Sequence, residues 1–268
     1  MTDTTKIQTS IATDSGHWYT REGKPAYEIE GKNGKIRNTT LADARRHILL
    51  AGVTSITSEA NKPALNTWKE DGLLDIAAQF PLVGDLDEWK KAVRIKASEY
   101  AANARDVGSS IHTAVENALH GREMHPLIVP LVNWLNEAYP RDGWDYMVER
   151  SFAENTHGYG GRIDLGLVNK LYPNHRVLID FKSTDKPIET AKGWDDQLMQ
   201  LAAGAVGLGW PIGTDSTELM NIYIHRETGE FRVWRWDTKD HRKGWEMFHG
   251  LLSYWKAKRG YYPETSHE

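Results

Sequence analysis

The stretch Val177–Thr184 reads V-L-I-D-F-K-S-T. Its aliphatic run predicts a strand, and alternate residues of a strand share one face. Asp180 and Lys182 therefore point the same way, while Phe181 points into the core. A second acid, Asp164, ends the G-R-I-D of the preceding predicted strand, and N-K-L-Y-P-N-H between them reads as a turn. Pairing across that turn would set the two aspartates side by side. Carboxylates held at one place repel each other unless a cation lies between them. A few hard oxygen ligands, completed by water and a phosphate, suit Mg²⁺ or Mn²⁺. An ammonium beside them suits the steadying of an attacking water or of charge growing on phosphorus. The other reading is two separate strand-end acids, one paired with Lys182.

Two helices carry further candidates. In G-S-S-I-H-T-A-V-E-N-A-L, His112 and Glu116 are four residues apart and so share a helix face. In D-Q-L-M-Q-L-A-A-G-A, Gln200 lies amid Leu and Ala, where a side-chain amide needs a hydrogen-bonding partner. Each also reads as an ordinary surface or core residue when taken alone. Arg105 and Arg162 lie near these motifs and are candidates for phosphate contact, as is Lys186. The basic and aromatic runs W-R-W-D-T-K-D-H-R-K-G-W and Y-W-K-A-K-R-G-Y-Y could track a phosphate backbone or form solvated helix faces with Trp inward.

The order of helix His, G-R-I-D, I-D-F-K and a Q-L helix resembles the RecB-like exonuclease branch of the PD-(D/E)XK nuclease superfamily. V-T-S-I-T…N-K-P-A-L-N-T-W-K and I-D-F-K-S-T-D-K-P look like the corresponding segments of phage-type exonucleases and of the mitochondrial genome maintenance exonuclease. The likeness covers roughly residues 50 to 260. It implies a metal-dependent deoxyribonuclease that hydrolyses DNA phosphodiesters, acting in phage or bacterial recombination, replication or end processing. It implies Asp164, Asp180, His112 and the backbone carbonyl of Phe181 as ligands to Mg²⁺ or Mn²⁺. Lys182 would position and activate the water, and Gln200 would orient Lys182 or touch the scissile strand. Glu116 and Glu149 are candidates for support behind the ligands, and Arg162, Arg105, Ser183, Thr184 and Lys186 for DNA contact. The partner would be DNA ends, single- or double-stranded, with a phage single-strand annealing or recombination protein as a further partner. A structure-specific endonuclease or flap nuclease, or a non-catalytic DNA-end-binding recombination module, are the alternatives. One position departs from the family: the aromatic four residues after the helix Gln is Gly204 here. Gln197 offers another register, with Leu201 at the aromatic place.

Several elements must position these residues. Short strands are expected near Trp18–Tyr19 and over residues 27–29. Thr40 reads as the cap of a helix over residues 41–50. A helix from Pro63 carries an apolar stripe of Leu65, Trp68, Leu73 and Leu74. A long helical pattern runs from Leu86 to Leu119 and another from Leu127 to Glu137. Residues 144–152, 159–168 and 177–182 then read as three strands, Trp194 to Leu208 as a helix, residues 219–225 and 231–236 as a strand pair, and Trp245 to Lys258 as a terminal helix. The order predicts an α+β fold. The resemblance makes it a restriction-endonuclease-like core, a central mixed sheet flanked by helices and preceded by a helical N-terminal region. The expected divisions are a polar segment 1–40 with short strands, a helical region 41–140 carrying the motif His, and a core 141–268, with 41–268 as one compact unit.

Bulk composition constrains the rest. The 268 residues contain no cysteine, which excludes disulfides, iron–sulfur clusters and thiolate zinc. A net charge of −4 gives no overall basic excess, so contact with a polyanion must rest on local clusters or on a metal ion. No apolar run approaches the ~20 residues that span a bilayer. The opening M-T-D-T-T-K-I-Q-T-S has neither the basic nor the apolar region of a signal peptide. A cytoplasmic protein is expected, in the host cytoplasm if phage-encoded, with no membrane partner.

Overall fold

In the computed structural model, which describes residues 17–31, 34–61 and 63–263 (backbone alone at 63–65 and 101–109), the N-terminal half runs β1 (Trp18–Tyr19), β2 (Glu28–Glu30), β3 (Ile36–Asn38), α1 (Leu41–His47), β4 (Leu50–Gly52), α2 (Val53–Thr57), α3 (Pro63–Gln79), α4 (Leu86–Leu119) and α5 (Val129–Ala138). There follow β5 (Trp144–Val148), β6 (Ser151–Glu154), β7 (Tyr159–Arg162), β8 (Leu165–Asn169), β9 (Arg176–Thr184), α6 (Asp195–Gly207), β10 (Thr217–His225), β11 (Phe231–Arg235) and α7 (Thr238–Arg259). This is an α+β arrangement with mixed sheets. A five-stranded sheet has the order β11-β10-β9-β8-β5, and a four-stranded one the order β1-β4-β7-β6. In the larger sheet only β9 and β10 are parallel; β5 with β8, β8 with β9 and β10 with β11 are antiparallel.

The alternation in β9 decides which face carries the candidate chemistry. Val177, Ile179 and Phe181 pack with Ile111, Leu131 and Leu165 into the core under α4 and α5. Leu178 packs instead with Leu198, Leu201 and Phe248 into the core formed by α6 and α7. Strand period two then puts Asp180 and Lys182 on the α6 side. β9 is buried on both faces, and each fully buried side chain of this size contributes about 1.5–3 kcal/mol.

Two expected strands break. Residues 144–152 are β5 and β6, and residues 159–168 are β7 and β8, each pair divided between the two sheets. Pairing continues through the break: the Glu149 N–H donates to the Asp164 carbonyl at 2.9 Å, and the Ile163 N–H to the Arg150 carbonyl at 3.0 Å. The four strands are one long antiparallel ribbon folded at its middle. Glu149 makes the fold with a left-handed φ of 51°, a conformation that costs a non-glycine residue free energy and that no Gly or Pro here advertises. Asp164 lies at the same bend.

Other differences are local. Thr40 caps α1 with Asp43 reaching back to its N–H at 3.0 Å, but the helix stops at His47. Ile48 turns left-handed there, and the chain enters β4. Of the α3 stripe, the Leu65 side chain lies outside the described residues, Leu73 and Leu74 are exposed, and the helix pairs with α4, Trp68 stacking on Tyr100. α7 begins at Thr238, ahead of the apolar periodicity at Trp245. Trp18 and Tyr19 form a short strand, as expected, and are buried where β1 pairs with β4 in the four-stranded sheet.

Candidate active site

β8 and β9 pair with Leu165 opposite Ile179, so the register carried one residue into the bend sets Asp164 beside Asp180. The Phe181 N–H donates to Asp164 Oδ2 at 2.8 Å. Asp164 Oδ1 has no hydrogen bond among the described residues. One residue back on β9, Asp180 meets Lys182, whose Nζ is 2.8 Å from Oδ1 and 2.7 Å from Oδ2. Lys182 Nζ also donates to Gln200 Oε1 at 3.1 Å. From α4, His112 brings Nδ1 to 3.6 Å from Asp164 Oδ2, longer than a hydrogen bond. Asp164, Asp180, Lys182, Gln200 and His112, drawn from one strand, a strand bend and two helices, line one cavity of about 260 Å³.

Electrostatics follow from burial. Burial, reinforced by the Asp164 carboxylate, pushes the Asp180 carboxyl up although Lys182 pulls it down. Burial pulls the Lys182 ammonium down, and Asp180 with Asp164 more than reverses this, so Lys182 stays protonated. Burial, with Asp164 next, pushes Glu149 up to about 7, and Arg162 at 2.8 Å opposes the shift. The cavity lining thus sets the Asp164 and Asp180 carboxyls against the Lys182 ammonium and the Arg162 guanidinium, the latter shared with Glu149.

No protein family matches the chain. No curated protein sequence does either. A solved structure described as the crystal structure of SSO0001 aligns over 71% of this chain and 87% of that chain, at 11% identity and a TM-score of 0.31. A likeness at that level carries no argument about fold or activity.

The remaining candidates divide. Glu149 and Arg162 pair with each other at the cavity edge. Glu116 turns to Arg122 at 3.2 Å. Ser183 accepts from Arg226, and Thr184 from the Lys186 N–H, so both hydroxyls hold the turn after β9, where Lys186 is exposed. The side chain of Arg105 lies outside the described residues. Of the two glutamines, Gln200 meets Lys182, while Gln197 accepts from Tyr223 Oη and from the Trp194 N–H. Gly204 lines the cavity wall. A Cβ there would stand 3.1 Å from Leu178 and 3.2 Å from Ile163, so this backbone leaves no room for an aromatic ring.

Sequence reasoning passed over Asn221. It is fully buried on β10 opposite Asp180, donates to Asp180 Oδ2 at 2.7 Å and accepts from Trp236 Nε1 at 2.8 Å. An amide inside L-M-N-I-Y-I was the available signal, because buried polar groups are partnered.

The donors fit a hard divalent ion of the Mg²⁺ type. Such ions take one or two carboxylates and fill their remaining positions with water and substrate phosphate, and Asp164 Oδ1 is the uncommitted oxygen here. Among the described residues no three His, Asp or Glu side chains form a ready cage.

Proposed function

We propose that the chain is a metal-dependent deoxyribonuclease of the PD-(D/E)XK type, RecB-like branch, on a restriction-endonuclease-like core, and that it removes nucleotides from DNA ends. One observation carries this reading. Asp164, Asp180, Lys182, Gln200 and His112, scattered over 89 residues of sequence, line a single open cavity in which Lys182 is held as an ammonium between Asp180 and Gln200.

In the proposed hydrolysis a water oxygen attacks phosphorus and the bond from phosphorus to the leaving strand oxygen breaks. The water gives up one proton and the leaving oxygen takes one. Asp164, Asp180, His112 and the Phe181 carbonyl would hold Mg²⁺ or Mn²⁺. When bound, such an ion supplies Lewis-acid neutralisation of the phosphate and eases the ionisation of water. Lys182, fixed by Asp180 and Gln200, keeps part of its three-donor capacity for a phosphate oxygen, where its charge opposes the charge that grows there. Asn221 and Trp236 hold Asp180 from behind, so the carboxylate is preorganised.

Digestion of end-labelled linear DNA beside closed circular single strands, with each metal, tests the assignment. Loss of label from linear strands with circles intact is expected of an exonuclease. Cutting of circles would make the protein an endonuclease of the same chemistry. DNA bound but never cut would make it an end-binding module.

A further inference from the structure

The same cavity has walls that no catalytic role explains. Tyr19 comes to it from β1, His17 and Tyr27 from the residues just before β1 and β2, and Arg162 from the end of β7. The two phenols meet at 2.6 Å, oxygen to oxygen. One hydroxyl proton lies between them, and the other has no acceptor among the described residues. Burial, then the neighbouring phenol, holds Tyr19 far above the ordinary phenol range, so it keeps its proton. Arg162 forms an ion pair with Glu149, Nε to Oε2 at 2.8 Å, and its two terminal nitrogens make no hydrogen bond among the described residues. Burial, helped by Arg162, lowers the His17 imidazole, which stacks on Tyr27 with ring centroids 4.6 Å apart and so fixes that ring.

The placement is built into the fold. β1 pairs with β4 and β4 with β7, and Gly160 on β7 admits the ring of Tyr19: a Cβ there would fall 2.7 Å from Tyr19 Cβ. The N-terminal strand therefore reaches this cavity only because β7 carries a glycine.

Spare O–H and N–H donors without matching acceptors call for an anionic oxygen ligand, and a planar guanidinium matches phosphate best. We infer that Tyr19, Tyr27 and Arg162 form a phosphate subsite, which holds a DNA phosphate beside the one that reacts. This rests on the proposed nuclease reading and adds to it how the strand is registered. The phosphate is either an internal phosphodiester or a terminal monoester.

Fluorescence anisotropy tests this in the Lys182→Ala background with Mg²⁺, so that no strand is cut. The probes are one single-stranded oligonucleotide made with a 5′-phosphate, with a 3′-phosphate and with neither. Arg162→Gln, and separately the double Tyr19→Phe/Tyr27→Phe, which keeps both rings, are each expected to weaken binding about five- to tenfold, the scale of losing a charge-assisted hydrogen bond. Equal weakening on all three probes assigns the subsite to an internal phosphodiester. Weakening confined to one phosphorylated probe assigns it to that end. Unchanged affinity of both variants for probes that the parent binds overturns the subsite and leaves the nuclease reading standing. If the parent binds none of the probes and wild type cuts none, the nuclease reading itself falls.

Discussion

At the scale of single residues, Asp180 is fixed from two directions. Lys182 approaches from its own strand, and Asn221 from β10. Asn221→Ala leaves Asp180 Oδ2 with Lys182 alone and the Trp236 N–H without a partner, at a cost of about 1–3 kcal/mol for the group so stranded. The variant should melt lower and lose kcat more than KM. Asp43 gives a prediction about pH. Its carboxylate accepts two bonds from Arg37 and two from Thr40, from the hydroxyl and the backbone N–H, and these hold its pKa well below the usual range. A depressed folded pKa stabilises above the unfolded value and is lost as pH falls through the folded one. Asp43→Asn should therefore melt below wild type by a constant margin above about pH 5, and the margin should shrink as pH falls below the carboxylate reference near 4. The pairing of Asp180 with Lys182 was legible because strand period two requires it. Tyr19 and Tyr27 as cavity walls were not, since their placement depends on β1 joining a sheet whose next strand comes 30 residues later.

At the scale of elements, the three central strands were readable from alternation, but the fold in the β5–β8 ribbon was not. A strand pattern that runs unbroken through Val148 and Glu149 gives no sign that the chain will turn into a second sheet, and the turn rests on one strained Glu. α4 was readable from its apolar spacing over Ile111, Val115 and Leu119. α3 was misleading, because Leu73 and Leu74 mark an apolar surface that the core does not cover. α6 positions Gln200, and its end fits tightly against β6: a Cβ on Gly207 would come within 2.0 Å of the Phe152 ring. Gly207→Ala should cost about 1–3 kcal/mol by overpacking. The shift in α6 should also lengthen the reach from Gln200 to Lys182, so activity should fall beyond what the lost stability explains. Melting curves beside initial rates would separate the two effects.

At the scale of the whole molecule, a chain of net charge −4 sets two aspartates, Asp164 and Asp180, in the cavity of the candidate site. Among the described residues no helix is long and apolar enough to cross a membrane. The cavity charge makes stability depend on divalent ions. Binding to the folded state alone adds about 2.7 kcal/mol at a hundredfold excess over Kd. Mg²⁺ or Mn²⁺ should thus raise the melting temperature of wild type, and Asp164→Asn should abolish the rise. In chelator the order should reverse, because the amide relieves the repulsion that Asp164 imposes on Asp180. The central claim meets its most direct test in the release of nucleotides from linear DNA by wild type and by Lys182→Ala, purified alike, with Mg²⁺ or Mn²⁺. The account predicts steady release by wild type, none in chelator, and a loss of at least about a hundredfold in the variant. Equal release by the two proteins, or none by wild type with either metal, would contradict it.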